Sequence, residues 1–380
     1  MRRLAQVFFP FLLYLGKIKA IATCDKECNF ISNITETTSI QLPDNSTKWN
    51  ATFQNGSNVH LSGNDSISGP HPGVQYLVYF KNGTKICCKY IFTKPSPVFD
   101  IKAENITTKT LDLKWENNDT NALNNTYRIH IDGPGHLRNI TSSTTYVQII
   151  QLDPGTLYRF EIYAQVGDNK TEGEPKGIEV YTKPSPVYDI KAESITTKTL
   201  ELRWENNDTN AVNYTYRIHI DGPSHWHNIT SNTTYVRVIQ LDPGTLYRFE
   251  IYAQVGDNKT EGDPNGTDVY TKPSPVFDIK AENITTKTLD LKWENNDTNA
   301  VNYTYRIHIG GPGPLRNITS NTTYVRVIQL DPGTLYRFEI YAQVGDNKTE
   351  GDPKGTEVYT SKYIKLRDVM YITLLHKEII

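Results

Sequence analysis

The sequence predicts an all-β chain built as a tandem string of antiparallel, immunoglobulin-like β-sandwich modules. Three observations carry that prediction. Trp115, Trp204 and Trp293 stand 89 residues apart, as do Pro95, Pro184 and Pro273, and Tyr158, Tyr247 and Tyr336. The hydrophobic period inside each copy is two, the mark of half-buried strands. Tyrosine is frequent, 24 residues against 2 methionines, and it suits a pleated, half-buried surface. A repeat of this length is a domain in itself, since solenoid units run about 20–50 residues.

The strands follow in order through the first copy. Leu111, Leu113 and Trp115 alternate with Asp112 and Lys114. Tyr127, Ile129 and Ile131 alternate with Arg128 and His130, and Val147 and Ile149 flank Gln148. Tyr158, Phe160, Ile162 and Ala164 alternate with Arg159, Glu161 and Tyr163, and Ile178 and Val180 flank Glu179. Asn, Asp, Gly and Thr clusters at 116–121 and 167–173 punctuate the runs. About seven short strands in about 90 residues describe a sandwich of two antiparallel sheets.

An immunoglobulin domain sets its tryptophan between two bonded cysteines; these three copies contain no cysteine. Each has instead a tryptophan ending its second strand and, 43 residues on, the tyrosine of Leu152-Asp153-Pro154-Gly155-Thr156-Leu157-Tyr158 or its equivalent. That stretch resembles the tyrosine corner of fibronectin type III modules, in which the hydroxyl turns back onto the upstream chain. Trp115, Trp204, Trp293, Tyr158, Tyr247 and Tyr336 are accordingly expected in the cores.

The expected organisation is a signal peptide at 1–22, a divergent or partial fibronectin type III-like module at 23–94, three modules at 95–183, 184–272 and 273–360, and a non-homologous tail at 361–380. Arg2 and Arg3, an apolar run from Leu4 to Leu15 and Ala20-Ile21-Ala22 have the layout of a secretory leader. The run is short for a bilayer span, which needs about 20 apolar residues, and no later segment reaches that length. Residues 23–94 keep Pro72-Gly73-Val74-Gln75-Tyr76, spaced as Pro154 to Tyr158, but lack the tryptophan strand. They hold all four cysteines, Cys24, Cys28, Cys87 and Cys88. In a secreted chain these are disulfide candidates with three possible pairings; adjacent Cys87 and Cys88 lack the spacer of a zinc site. Lys183-Pro184-Ser185-Pro186 and Lys272-Pro273-Ser274-Pro275 are proline-rich, semi-rigid joints. The tail, which replaces such a joint, is what truncation or splicing of a longer receptor would leave.

Behind a leader, Asn-x-Ser/Thr triplets are glycan acceptors. There are 23. Asn33, Asn45, Asn50, Asn55, Asn64 and Asn82 precede the repeats. The first copy has Asn105, Asn118, Asn124, Asn139 and Asn169, and the second Asn207, Asn213, Asn228, Asn232, Asn258 and Asn265. The third has Asn283, Asn296, Asn302, Asn317, Asn321 and Asn347. Acceptors in the loops after the second and sixth strands, such as Asn118, Asn124 and Asn169, are expected to mask one end of each module. The strand face carrying Arg159, Glu161 and Tyr163 is expected to be free of acceptors and so open to a partner.

Pro95-Ser96-Pro97-Val98-Phe99-Asp100-Ile101-Lys102-Ala103, Tyr303-Thr304-Tyr305-Arg306-Ile307-His308 and Gly351-Asp352-Pro353-Lys354-Gly355-Thr356-Glu357 extend a likeness beyond core positions. Over roughly residues 72–360 the chain resembles the ectodomain of the receptor-type tyrosine-protein phosphatase eta family. The resemblance implies an extracellular module array, one membrane helix and a cytoplasmic phosphatase domain. This chain lacks the last two, and Cys87 and Cys88 have no phosphate-cradling arginine loop after them, so no catalytic residue carries over.

Net charge is −2, without the basic excess of a nucleic-acid binder. His130, His219 and His308 recur beside acidic groups, yet Gly310 replaces the aspartate in the third copy, and an exposed strand face explains them better than a hydrolase or metal site. The oxygens at 167–173 lack the spacing of a calcium loop. Neither Arg-Gly-Asp nor Trp-Ser-x-Trp-Ser occurs. Trp226, on the most variable stretch, is either an interface anchor or drift on a tolerant loop. No catalytic residue, metal or cofactor is expected. The function expected is a secreted or cell-surface receptor or adhesion ectodomain binding an extracellular protein, without nucleic acid or direct membrane insertion. The alternative is a passive glycosylated spacer or matrix protein.

Overall fold

The computed structural model describes residues 71–82, 85–119, 125–167, 171–208, 213–223, 226–257, 260–297, 302–345 and 349–362, with short strand segments between 39 and 68. The segment expected to be a leader, Cys24, Cys28 and the tail from 363 onward lie outside the described residues. The chain divides into two compact units, residues 1–183 and 184–380.

In the first unit, β1 (Trp49–Phe53) pairs with β2 (Gln75–Asn82), which pairs with β3 (Lys85–Phe92). Cys87 and Cys88 lie in β3, opposite Phe80 and Tyr79; the disulfide pairing lies outside the described residues. The first 89-residue copy follows as β4 (Phe99–Glu104), β5 (Leu111–Glu116), β6 (Thr126–Gly133), β7 (His136–Ser142), β8 (Tyr146–Ile149), β9 (Leu157–Val166), β10 (Thr171–Glu172) and β11 (Lys176–Tyr181). One sheet runs β8-β5-β4, the other β7-β6-β9-β10, with β11 also on β9. Every pairing is antiparallel.

Period-two patterning sends alternate residues to one side of each sheet. Leu111, Leu113 and Trp115 therefore meet Tyr127, Ile129, Ile131, Tyr158, Phe160 and Ile162 between the sheets, all buried. Trp115 sets its ring edge-on to Tyr127, centroids 5.2 Å apart at 70°. The second unit contains the same sandwich twice, from Tyr188–Glu193 to Asn265–Tyr270 and from Phe277–Glu282 to Lys354–Tyr359. Trp204 and Trp293 are buried with Tyr216 and Tyr305 against them in the same geometry.

Tyr158, Tyr247 and Tyr336 each accept the backbone N–H of the residue five positions upstream, Asp153, Asp242 and Asp331, at 2.9, 2.9 and 3.0 Å. Tyr76 does the same for His71 at 2.9 Å. Sequence reasoning missed the other half of this corner. Thr182 Oγ1 accepts the N–H of Thr156 at 2.9 Å and donates to the carbonyl of Asp153 at 2.6 Å, and Thr93, Thr271 and Thr360 repeat the arrangement. The threonine sits one residue past the last strand, where only the fold brings it beside a loop 26 residues back.

At the start of each copy, the Ser96, Ser185 or Ser274 N–H donates to Asp119, Asp208 or Asp297 at 2.8 Å. Tyr214 and Tyr303 donate to the same carboxylates. The joint is thus tied to the loop after the second strand. The segment after β10 reaches the same end: a Cβ on Gly173 would lie 2.4 Å from the carbonyl of Pro95.

Candidate interaction surface

The outward side of the β7-β6-β9 sheet is ordered by register. His130 lies between Asn139 and Glu161, and Arg128 between Thr141 and Tyr163. The Arg128 guanidinium stacks 3.9 Å from the Tyr163 ring centroid. Its Nε and Nη2 donate to the two oxygens of Glu172, both at 2.7 Å, and Gln165 Nε2 donates to the same carboxylate at 2.6 Å. A bidentate, charge-assisted pair under a cation–π contact is among the stronger surface arrangements. Arg217 and Arg306 repeat it on Tyr252 with Glu261 and on Tyr341 with Glu350. The arginine hydrogen bonds hold the Glu172, Glu261 and Glu350 carboxyls below the usual carboxylate range, against the opposing push of burial. The clamp ties β6 to the β9–β10 hairpin.

The same register overturns one expectation. The face of Arg159, Glu161 and Tyr163 does carry an acceptor, because Asn139 sits on it. Its Oδ1 lies 2.8 Å from His130 Nδ1 and 3.4 Å from Arg128 Nη1; Asn228 meets His219 and Arg217 likewise, and Asn317 stands opposite His308. All three asparagines are exposed. Sequence position hid this, since Asn139 and Glu161 become neighbours only through the intervening strand.

Other acceptors are spread over turns and loop ends. Asn118, Asn207, Asn213, Asn232, Asn296, Asn302 and Asn321 are exposed. Asn105 and Asn283 are exposed as well, and their Nδ2 groups donate to Asp112 and Asp290 at 2.8 Å. Asn265 is exposed, and its Nδ2 donates to the Val187 carbonyl at 2.9 Å. Asn50 lies in β1 and Asn82 ends β2. Asn33, Asn45, Asn55, Asn64, Asn124, Asn169, Asn258 and Asn347 lie outside the described residues.

The opposite outward face belongs to β8-β5-β4, and no acceptor occurs within these strands in any copy, but Asn105 and Asn283, just past the first strand, lie over Asp112 and Asp290 on that face, where the second copy has Ser194. Lys102 pairs with Asp100 at 2.7 Å and Lys114 pairs with Glu104. An open cleft of about 480 Å³ lies among Lys102, Glu104, Lys114 and Tyr146. Among the described residues no cluster of three His, Cys, Asp or Glu side chains could hold a metal ion. Among the same residues no helix is long and apolar enough to cross a membrane.

The fibronectin type III domain family matches residues 95–177, 184–265 and 273–355. Receptor-type tyrosine-protein phosphatase eta from Gallus gallus is 42% identical over 270 residues, 71% of this chain and 19% of that protein. Its Homo sapiens counterpart is 31% identical over 365 residues, 89% of this chain and 26% of that protein. Tenascin from Gallus gallus is 26% identical over 298 residues, 74% of this chain and 16% of that protein. The chain spans about a fifth of the first relative's length.

Proposed function

The chain belongs to the fibronectin type III family and resembles the ectodomain of receptor-type tyrosine-protein phosphatase eta, and on that premise we propose that it works as an extracellular receptor- or adhesion-type ectodomain binding a protein partner. The observation that carries the reading is the likeness to the eta phosphatases, which runs through most of the chain. In this reading the chain performs no chemistry itself, its exposed sequons bear N-glycans, and Cys24, Cys28, Cys87 and Cys88 are oxidised. The partner contacts the second copy's equivalent of the β8-β5-β4 face, built from Tyr188–Glu193, Leu200–Glu205 and Tyr235–Val238, because a glycan is bulky and hydrated and Ser194 stands there in place of the acceptors Asn105 and Asn283 of the other copies. The mixed charges of Lys191, Asp189, Arg203 and Glu193 and the Tyr235 ring there suit a modest, polar interface.

The test is saturable binding of the secreted chain to a panel of purified cell-surface and matrix proteins. Lys191→Glu with Arg203→Glu is expected to weaken the contact. Saturable binding to no member of the panel favours the passive spacer. A footprint centred on the glycan-bearing β7-β6-β9 faces overturns the choice of surface.

A further inference from the structure

We propose that the third module has a built seat for a sugar: the first N-acetylglucosamine of an N-glycan on Asn317 folds back onto the chain's own sheet. The proposal rests on the extracellular reading above. The relevant strands are β12 (Thr304–Gly310), β13 (Arg316–Ser320) and β14 (Leu335–Val344). On their outward side His308 lies between Asn317 and Glu339, and Gly310 stands opposite Arg337. A cleft of about 200 Å³ opens there, lined by His308, Gly310, Leu315, Arg337 and Glu339. Pockets for drug-sized ligands run about 300–1,000 Å³, so this one is of monosaccharide scale.

One feature makes the cleft particular to this module. Gly310 occupies the place of Asp132 and Asp221, so the space their side chains take is open here. A Cβ on Gly310 would already come within 3.8 Å of Leu315 Cδ2. Leu315 is 67% exposed, and Leu137 at the same place in the first module is exposed too, but opposite Asp132; only in the third module does the large apolar side chain stand in water beside an open space. Leu315 and Asn317 stand two steps apart along extended chain, about 7 Å at the usual strand rise, which one pyranose ring bridges.

The chemistry of the lining matches the sugar. A pyranose has a C–H-rich face and an N-acetyl methyl that can cover Leu315 and remove apolar surface from water. Its hydroxyls and amide are neutral donors and acceptors. Arg337 and Glu339, paired at 3.0 Å, offer both functions at the rim. The asparagine side chain projects on the same side of the sheet as the lining residues, so the linkage leads into the cleft.

The experiment uses the full chain secreted from cells that attach isotope-labelled glycans, with Asn317 occupancy read by glycopeptide mass spectrometry. One sample is trimmed by an endoglycosidase that leaves a single N-acetylglucosamine; another is stripped by an amidase that removes the whole glycan. The expected result is a nuclear Overhauser contact between the N-acetyl methyl and the Leu315 methyls in the trimmed sample. Hydrogen exchange across β12 and β13 should stay slow after trimming and quicken after stripping. Gly310→Asp, which restores the residue of the other modules, should abolish both effects while leaving the fold intact. An unoccupied Asn317 overturns the proposal, as does a sugar without contact to Leu315 or an effect that survives Gly310→Asp. Occupancy of the other sequons is read in the same spectrum, so an empty Asn317 is distinguished from a chain that never met the glycosylation machinery.

Discussion

Trp204→Ala tests whether each 89-residue copy is an independent sandwich. Trp204 is 3% exposed at the end of its strand, and its ring meets Tyr216 edge-on with centroids 5.2 Å apart. Truncating a buried tryptophan costs about 3–5 kcal/mol in lost transfer energy and residual cavity. Of that, about 0.5–1.5 kcal/mol belongs to the aromatic pair itself. A module of this size has about 5–15 kcal/mol of stability, so the variant module keeps only part of it. With a urea dependence of about 1 kcal/mol per molar, its midpoint falls by about 3–5 M. The assay is urea-dependent hydrogen exchange by mass spectrometry. Peptides spanning sequence differences between copies, such as Ser194 against Asn283, report each module separately. Sites more than about 7–10 Å apart without shared partners are energetically independent, so the modules containing Trp115 and Trp293 should keep their midpoints. A loss shared equally by all three modules would refute the reasoning.

Tyr247→Phe removes the acceptor of the Asp242 N–H and should cost its module about 1–3 kcal/mol, the penalty of an unsatisfied donor; a urea midpoint within error of the parent would contradict the corner's role. Gly135 and Gly244 both have positive φ, 74° and 56°, but a Cβ on Gly135 meets nothing within 4 Å, whereas one on Gly244 would lie 1.7 Å from the Tyr303 hydroxyl. Gly135→Ala should therefore show only the left-handed backbone cost of about 1–2 kcal/mol, and Gly244→Ala more than that, with faster exchange around Tyr303; equal costs would refute the contact. Glu172, Glu261 and Glu350 have folded pKa values below the unfolded value, which is near 4.3. Their contribution is complete above that value and lost as pH falls through the folded pKa, so replacing all three with glutamine should flatten the decline of the urea midpoint below about pH 4; an unchanged acid limb would remove the clamp from the stability argument.

What the sequence made legible follows from short-range periodicity and exact repetition. Leu111, Leu113 and Trp115 announce a strand with one buried side because i and i+2 share a face. Three registered copies turn a suggestive Pro-Gly-x-x-Tyr into a corner. Even so, period-two logic misjudged Asp112: it lies on the outward side of β5 yet is 6% exposed, because Asn105 folds over it and donates to its carboxylate. The Arg128–Glu172 clamp joins groups 44 residues apart, and no local pattern signals that a glutamate in a hairpin will meet an arginine on another strand.

The acceptor on the wrong face shows where such reading stops. Along one strand, alternation tells which residues share a side, but not which side of a neighbouring strand aligns with it. Arg159, Glu161 and Tyr163 were legible as one outward row on β9, and Asn139 as an outward residue of its own strand. Whether the rows belong to one surface depends on pairing, and a slip of one residue sends every side chain to the opposite face. In the structure His130 pairs with both Asn139 and Glu161, so the acceptor asparagine and the arginine–tyrosine row share a surface. The opposite sheet, β8-β5-β4 and its equivalents, carries no acceptor within its strands, and in the second copy, where Ser194 replaces Asn105, its outward face is the one left to a protein partner. The conclusion turns on a single register, which a disulfide between cysteines placed at 130 and 139 would report: bonding without loss of the fold fixes the pair, and failure to bond would return the partner to the other face.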